Sequence, residues 1–211
     1  MMHRSPAIAL LLFLMGFSLV FAGCITPRIA DTHNTTVALQ SFNVWSDQQK
    51  KFDQQVRLTI GQIGNHLNAY NAGIAQDQPD LGNLRGNVAA DRLLLDQWGT
   101  QLTVLNAATA QFSATTSGLT YGNSPTTNGT IQLLTQYMKI YTIDMGNAQQ
   151  HLIDYTNNAG TYIGPDDPAY WDDVYLARAM DAKMLANQSI ADADHALSEI
   201  NANAQRLQQL Q

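Results

Sequence analysis

The chain reads as an all-α protein, an up-down-up-down four-helix bundle with long helices. Three observations predict it. Apolar residues recur in alternating steps of three and four along separate stretches of the chain, which is the 3.5-residue repeat of helices packed side by side. No stretch sustains the period of two that a half-buried strand requires. The periodic stretches are divided by breaks rich in Asp, Pro, Gly, Ser, Thr and Asn, residues that favour turns and loops.

The first stretch carries Trp45, Phe52, Val56, Ile60, Ile63, Leu67, Tyr70 and Ile74. It ends at the short connection Asp77-Gln78-Pro79-Asp80. A connection so tight makes the first two helices antiparallel neighbours, and Asp80 is placed to cap the second helix by accepting from a free amide of its first turn. That second helix carries Leu81, Leu84, Val88, Leu95, Trp98, Leu102, Leu105 and Phe112, with Asp91 and Thr109 filling the gaps in the seam. Gly82 and Gly86 either offer a place for two helices to approach closely or simply leave the helix imperfect and mobile.

Residues 114–129 read as a loop, and the third helix then runs through Ile131, Leu134, Met138, Tyr141, Met145, Ala148, Leu152 and Tyr155. Residues 156–168 read as another loop. Asp167-Pro168 resembles a helix start, an Asp cap followed by proline at the first helical position. The fourth helix is irregular at first, with Val174, Leu176, Met180 and Met184, and then settles into Ile190, Ala193, Leu197, Ile200, Ala204 and Leu207. Helices of this length make a rod about 45–60 Å long.

Ahead of the bundle lies a different kind of sequence. Arg4 is followed by an apolar run from Ala7 to Phe21 and then by Ala22-Gly23-Cys24. A basic start, an apolar middle and small residues at the end form an export signal. The run is short for a membrane span, which needs about 20 residues. The motif Phe21-Ala22-Gly23-Cys24 resembles a lipobox, the processing site of prokaryotic membrane-anchored lipoproteins, with Phe21 where an aliphatic residue is commoner. The resemblance covers about two dozen residues and implies cleavage before Cys24, a diacylglyceryl group on its sulfur and anchorage to the outer face of the cell membrane. The expected organisation is a signal peptide at 1–23, a lipidated Cys24 with a flexible tether to residue 36, and a bundle domain at 37–211. Plain secretion and an uncleaved anchor helix are the alternatives. Cys24 is the single cysteine, so no intrachain disulfide forms and packing alone holds the fold.

The chain has 11 basic and 17 acidic side chains, and removal of residues 1–23 takes away only Arg4, leaving a net charge of −7. Sixteen of the acids are aspartates and only Glu199 is a glutamate. An acidic surface with four lysines lacks the electrostatic footprint of a nucleic-acid binder and any polybasic segment for anionic lipid.

The topology gathers Asp77, Asp80, Asp166, Asp167, Asp172 and Asp173 at the end of the rod away from the tether, with Tyr162, Tyr170 and Trp171. Asp166, Asp167, Tyr170, Trp171, Asp172 and Asp173 are the candidate partner or ligand surface. The competing explanation is structural: aspartates cap helix starts and the aromatics plug the core. Their spacing matches no EF-hand loop. Asp192 with His195, His195 with Glu199, and His151 with Asp154 share helix faces, but a di-iron bundle needs inward glutamates from several helices, and these residues lie off the seam. No metal site, cofactor or catalytic residue is assigned, and no nucleophile elbow, phosphate loop or dinucleotide fingerprint occurs. Asp91 on the seam is costly to bury unless paired; it reads as a register-setting polar residue or a local break in burial, with a ligand contact inside the bundle as the alternative. The sequons Asn34-Thr35-Thr36 and Asn128-Gly129-Thr130 are candidate glycosylation sites in tether and loop, and Asn187 lies mid-helix. An archaeal surface lipoprotein fits lipobox and sequons together. The expected function is an envelope structural or protein-interaction module, able to associate with itself or an envelope protein and not an enzyme. The alternative is an extracellular ligand-binding or sensory module.

Overall fold

A computed structural model describes residues 6–76, 78–119 and 124–210, with side chains described from Thr32 onward. Four helices make up the protein: α1 (Pro6–Ile74), α2 (Leu81–Ser117), α3 (Pro125–Tyr162) and α4 (Asp173–Gln209), with a one-turn 3-10 helix at Pro168–Tyr170. The helices pack in chain order, α1 on α2, α2 on α3 and α3 on α4, as a four-helix bundle. Of the four neighbouring pairs, α3 and α4 run closest over the greatest length and α1 and α4 over the least. The start of the bundle, the end of α2, the start of α3 and the end of α4 lie at one end. Residues 78–80 and the 163–172 connection form the other, the tip.

The seams of α2 and α3 fall where the periodicity puts them, and that of α1 does so except near residue 60, where Thr59 is buried and Ile60 only half-buried. From Leu84 to Phe112 every expected seam position of α2 is buried, Asp91 and Thr109 included, and from Ile131 to Tyr155 every one of α3 is buried. Large rings interlock midway. Phe52 meets Trp98 and Tyr141 edge-on at 6.4 and 6.3 Å, and Trp45 meets Tyr141 edge-on at 6.3 Å. Trp45 Nε1 donates to Thr109 Oγ1 at 2.8 Å, and Gln49 Nε2 donates to the Tyr141 hydroxyl at 3.4 Å. Burial pushes that hydroxyl's pKa up to about 12. Trp98 Nε1 is buried with no hydrogen-bond partner among the described residues.

Four expectations are corrected. Residues 25–36, expected as a tether, are helical within α1. The seam begins before residue 37: Thr35, Ala38, Phe42, Trp45 and Gln49 follow one another in steps of three and four and are all buried, and Phe42 stacks on Trp45 at 6.0 Å. Both expected loops shrink, because α2 runs on to Ser117, α3 starts at Pro125 and α3 ends only at Tyr162. Threonines in these extensions satisfy their hydroxyls on the preceding turn, Thr116 on Phe112 O at 2.8 Å and Thr156 on Ile153 O at 2.8 Å, so they sit buried at little cost. Asn128 therefore lies exposed in the first turn of α3, which Ser124 caps, and Asn34 is half-buried on α1.

The third correction is the first half of α4, where Val174 and Met184 are exposed at 51% and 63% and Ala179, Ala182 and Ala186 are buried instead. Farther on, the expected Ala193, Ile200, Ala204 and Leu207 are buried, joined by Ala196 and Asn203. Alanine has almost no side chain to hold helices apart, and that accounts for the close seating of α4 on α3. The fourth is the glycine pair. A Cβ at Gly86 would meet nothing within 4 Å, and one at Gly82 only Asp80 of its own cap. The close approach occurs at Gly99, where a Cβ would lie 2.6 Å from the Gln149 amide, which donates from α3 to Leu95 O on α2 at 2.8 Å.

Candidate functional site

At the tip most of the carboxylates are engaged locally. Asp80 caps α2 by accepting from Asn83 N at 3.1 Å. Asp167 caps the 3-10 turn, accepting from Ala169 N at 2.9 Å. Asp172 caps α4, accepting from Val174 N at 3.0 Å. The Asp167-Pro168 start therefore opens a single 3-10 turn, and α4 begins five residues later. Asp173 sits in the first turn of α4, where a carboxylate suits the helix dipole. Asp77 lies outside the described residues.

Arg85 of α2 fastens the α3–α4 connection. Its guanidinium donates to Ile163 O at 3.1 and 3.0 Å, to Gly164 O at 2.8 Å and to Asp166 Oδ1 at 2.8 Å. Charged donors on carbonyls that would otherwise lack partners hold a loop in one shape. Trp171 packs on Tyr162 with ring centroids 5.0 Å apart and donates from Nε1 to Pro165 O at 3.2 Å. Burial, then the neighbouring charge of Asp173, raises the pKa of the Tyr162 hydroxyl. Tyr170 is the exception, with 75% of its surface exposed. The fold thus brings the six candidate residues to one end. Trp171 and the capping aspartates build that end, while Tyr170 and the 92%-exposed Asp166 side chain face solvent.

A second constellation lies between α1 and α2. The Asp91 side chain is 3% exposed and its Oδ1 sits 2.5 Å from His66 Nδ1, with His66 29% exposed. Burial raises the Asp91 pKa, and the hydrogen bond and charge of His66 oppose that rise. His66 was missed in the sequence because it stands on no seam. The only signal for it was the need of Asp91 for a partner on a neighbouring helix.

The remaining pairs stay at the surface. Asp192 and His195 are exposed, Asp192 accepts from Gln188 at 2.9 Å and Asp154 accepts from Gln150 at 3.1 Å. Among the described residues no group of three or more His, Cys, Asp or Glu side chains is arranged to hold a metal ion. A groove of about 580 Å³ opens between α2 and α3 at the end away from the tip, lined by Thr116, Ile131, Gln132, Thr135 and Lys139 among others. Cys24 and the apolar run before it lie outside the residues with described side chains. Within those residues no helix is long and apolar enough to cross a membrane.

No family model matches the chain, and neither a curated protein nor a solved structure matches it.

Proposed function

We propose that this chain is a lipid-anchored module on the outer face of the cell membrane, which presents the tip of a helical rod to a protein partner. The observation that carries the reading is the combination of two ends. The single cysteine follows an apolar run and a small pair near the N-terminus. At the far end of the bundle a mostly exposed tyrosine and an exposed carboxylate stand on a connection held by Arg85. A rigid aromatic side chain on a fixed loop is the usual kind of anchor in a protein interface. The aromatic interior is filled by its own rings, which favours a surface contact over a ligand held at that level between the helices.

Mass spectrometry of the protein solubilised gently from its native membranes tests both halves. The expected result is a diacylglyceryl mass on Cys24 and a co-purifying protein in near-equal amount. That protein is lost from a Tyr170→Ser, Asp166→Lys variant of unchanged helicity. An unmodified Cys24 would remove the anchor, and a partner retained by the double variant would remove the tip.

A further inference from the structure

The apolar interior divides into two clusters, and the division falls at one level on all four helices. The larger cluster ends at Ile63, Leu95, Leu152 and Ala186. The smaller one, toward the tip, begins at Leu67, Val88, Tyr155 and Ala182. Asp91 lies on α2 between Val88 and Leu95, and His66 lies on α1 between Ile63 and Leu67. The buried carboxylate and its imidazole partner are thus the layer at which the core is interrupted. The tip core beyond it has ten buried residues, and it carries the Arg85-fastened connection and Tyr170.

We propose that the Asp91–His66 pair is a proton-controlled joint, clamping the tip to the main core while Asp91 is protonated and loosening it when Asp91 ionises. A neutral carboxyl group fits a seam of Leu and Tyr side chains. An ionised one must be sustained there by a single half-exposed imidazole, and burying a charge with incomplete solvation is unfavourable. The other groups at this level do not relieve it. From α1, Tyr70 is buried and donates its hydroxyl to Ala159 O at 3.1 Å. From α3 comes the buried phenol of Tyr155, whose pKa burial raises first, and the charges of Tyr70 and Asp91 raise further. On α2, Arg92 donates to Asn157 Oδ1 at 3.0 Å. On α4 the level presents Ala182 and Ala186, flanked by exposed Asp181 and half-buried Lys183.

The sign follows from linkage. A carboxyl whose folded pKa is raised binds its proton more tightly in the folded state. The stability this contributes is complete below the unfolded pKa and is lost as pH rises through the folded one. Each unit of displacement corresponds to about tenfold in the opening equilibrium.

Hydrogen exchange of the full chain in detergent micelles, corrected for the intrinsic rate, tests the joint between about pH 5 and about pH 8, where ordinary exposed carboxylates do not change charge. Protection of amides in 67–88, 155–163 and 173–182 is expected to fall several-fold more than protection in 42–63 and 95–112. Asp91→Asn should abolish the difference. Equal changes in both regions, or no change in either, would overturn the proposal, as would a difference that survives Asp91→Asn. Should that variant fail to fold, His66→Gln reads the same joint. Loss of the hydrogen bond that opposes the rise in the Asp91 pKa must enlarge the fall at the tip, and an unchanged fall overturns the proposal.

Discussion

The main core and the tip core are held together by different means. The main core is a stack of large apolar side chains in which Trp45 pairs with Thr109 and Gln49 with Tyr141, while the buried Trp98 Nε1 has no partner among the described residues. Its stability scales with area removed from water. The tip core is small, and its shape depends on polar fastenings. These are Arg85 on two carbonyls and a carboxylate, the Tyr70 hydroxyl on Ala159 O, Trp171 on Pro165 O and three aspartate caps. Apolar burial is non-directional and cooperative, whereas hydrogen bonds fix geometry while adding modest net stability. The two ends should therefore fail differently, the first as a whole and the second locally.

The largest effect expected is at Phe52, where two rings converge. Phe52→Ala should cost about 3–5 kcal/mol and lower the melting temperature of the whole bundle in a single transition followed by circular dichroism. An unchanged melting temperature would contradict the convergence of rings at Phe52. Next comes overfilling of the alanine seam. Ala193→Leu should cost about 1–3 kcal/mol by forcing α4 away from α3, and a neutral result in chemical denaturation would show that the two helices are less closely seated than described. Arg85→Met should cost about 1–2 kcal/mol, confined to the tip. Exchange should accelerate in 163–172 and stay unchanged in 95–112. The smallest effect is at the buried indole without a partner. Trp98→Phe loses packing but also removes an unpaired donor, two terms of similar size and opposite sign. Its stability should stay within about 1 kcal/mol of wild type, whereas Trp45→Phe, which breaks a hydrogen bond, should lose more in the same denaturation experiment.

The comparison also marks what the sequence made legible. Where the seam is built of Leu, Trp, Phe, Tyr and Met, as in α2 and α3, size and periodicity agree, and the buried set follows residue by residue. Asp91 and Thr109 were legible as seam positions only because their neighbours fixed the register. On α4 the larger side chains misled. Val174 and Met184 look like core residues, but alanines hold the seam, since contact with α3 at short range rewards small volume over apolar area. The helices run farther than composition suggests because Thr, Asn and Ser resemble loop residues, while back-bonding to the preceding turn lets threonines stay helical. The tip was legible as a place, since topology alone brings Asp80 together with 166–173. The partition of its aspartates into caps, an ion pair and exposed groups depends on three-dimensional contacts, as does the choice of His66 as partner to Asp91.

The alanine seam has one more consequence, for what happens when the bundle comes apart. Along most of its length α4 leaves behind a shallow row of methyl groups, whereas the surface it covers on α3 belongs to a helix lined by Met138, Tyr141, Met145 and Leu152. Release of α4 would yield a segment with little tendency to stick and a three-helix remainder with an open apolar trough. Clumping after damage would begin on that remainder. A protease that trims the C-terminal helix would thus do more harm through what it uncovers than through what it removes.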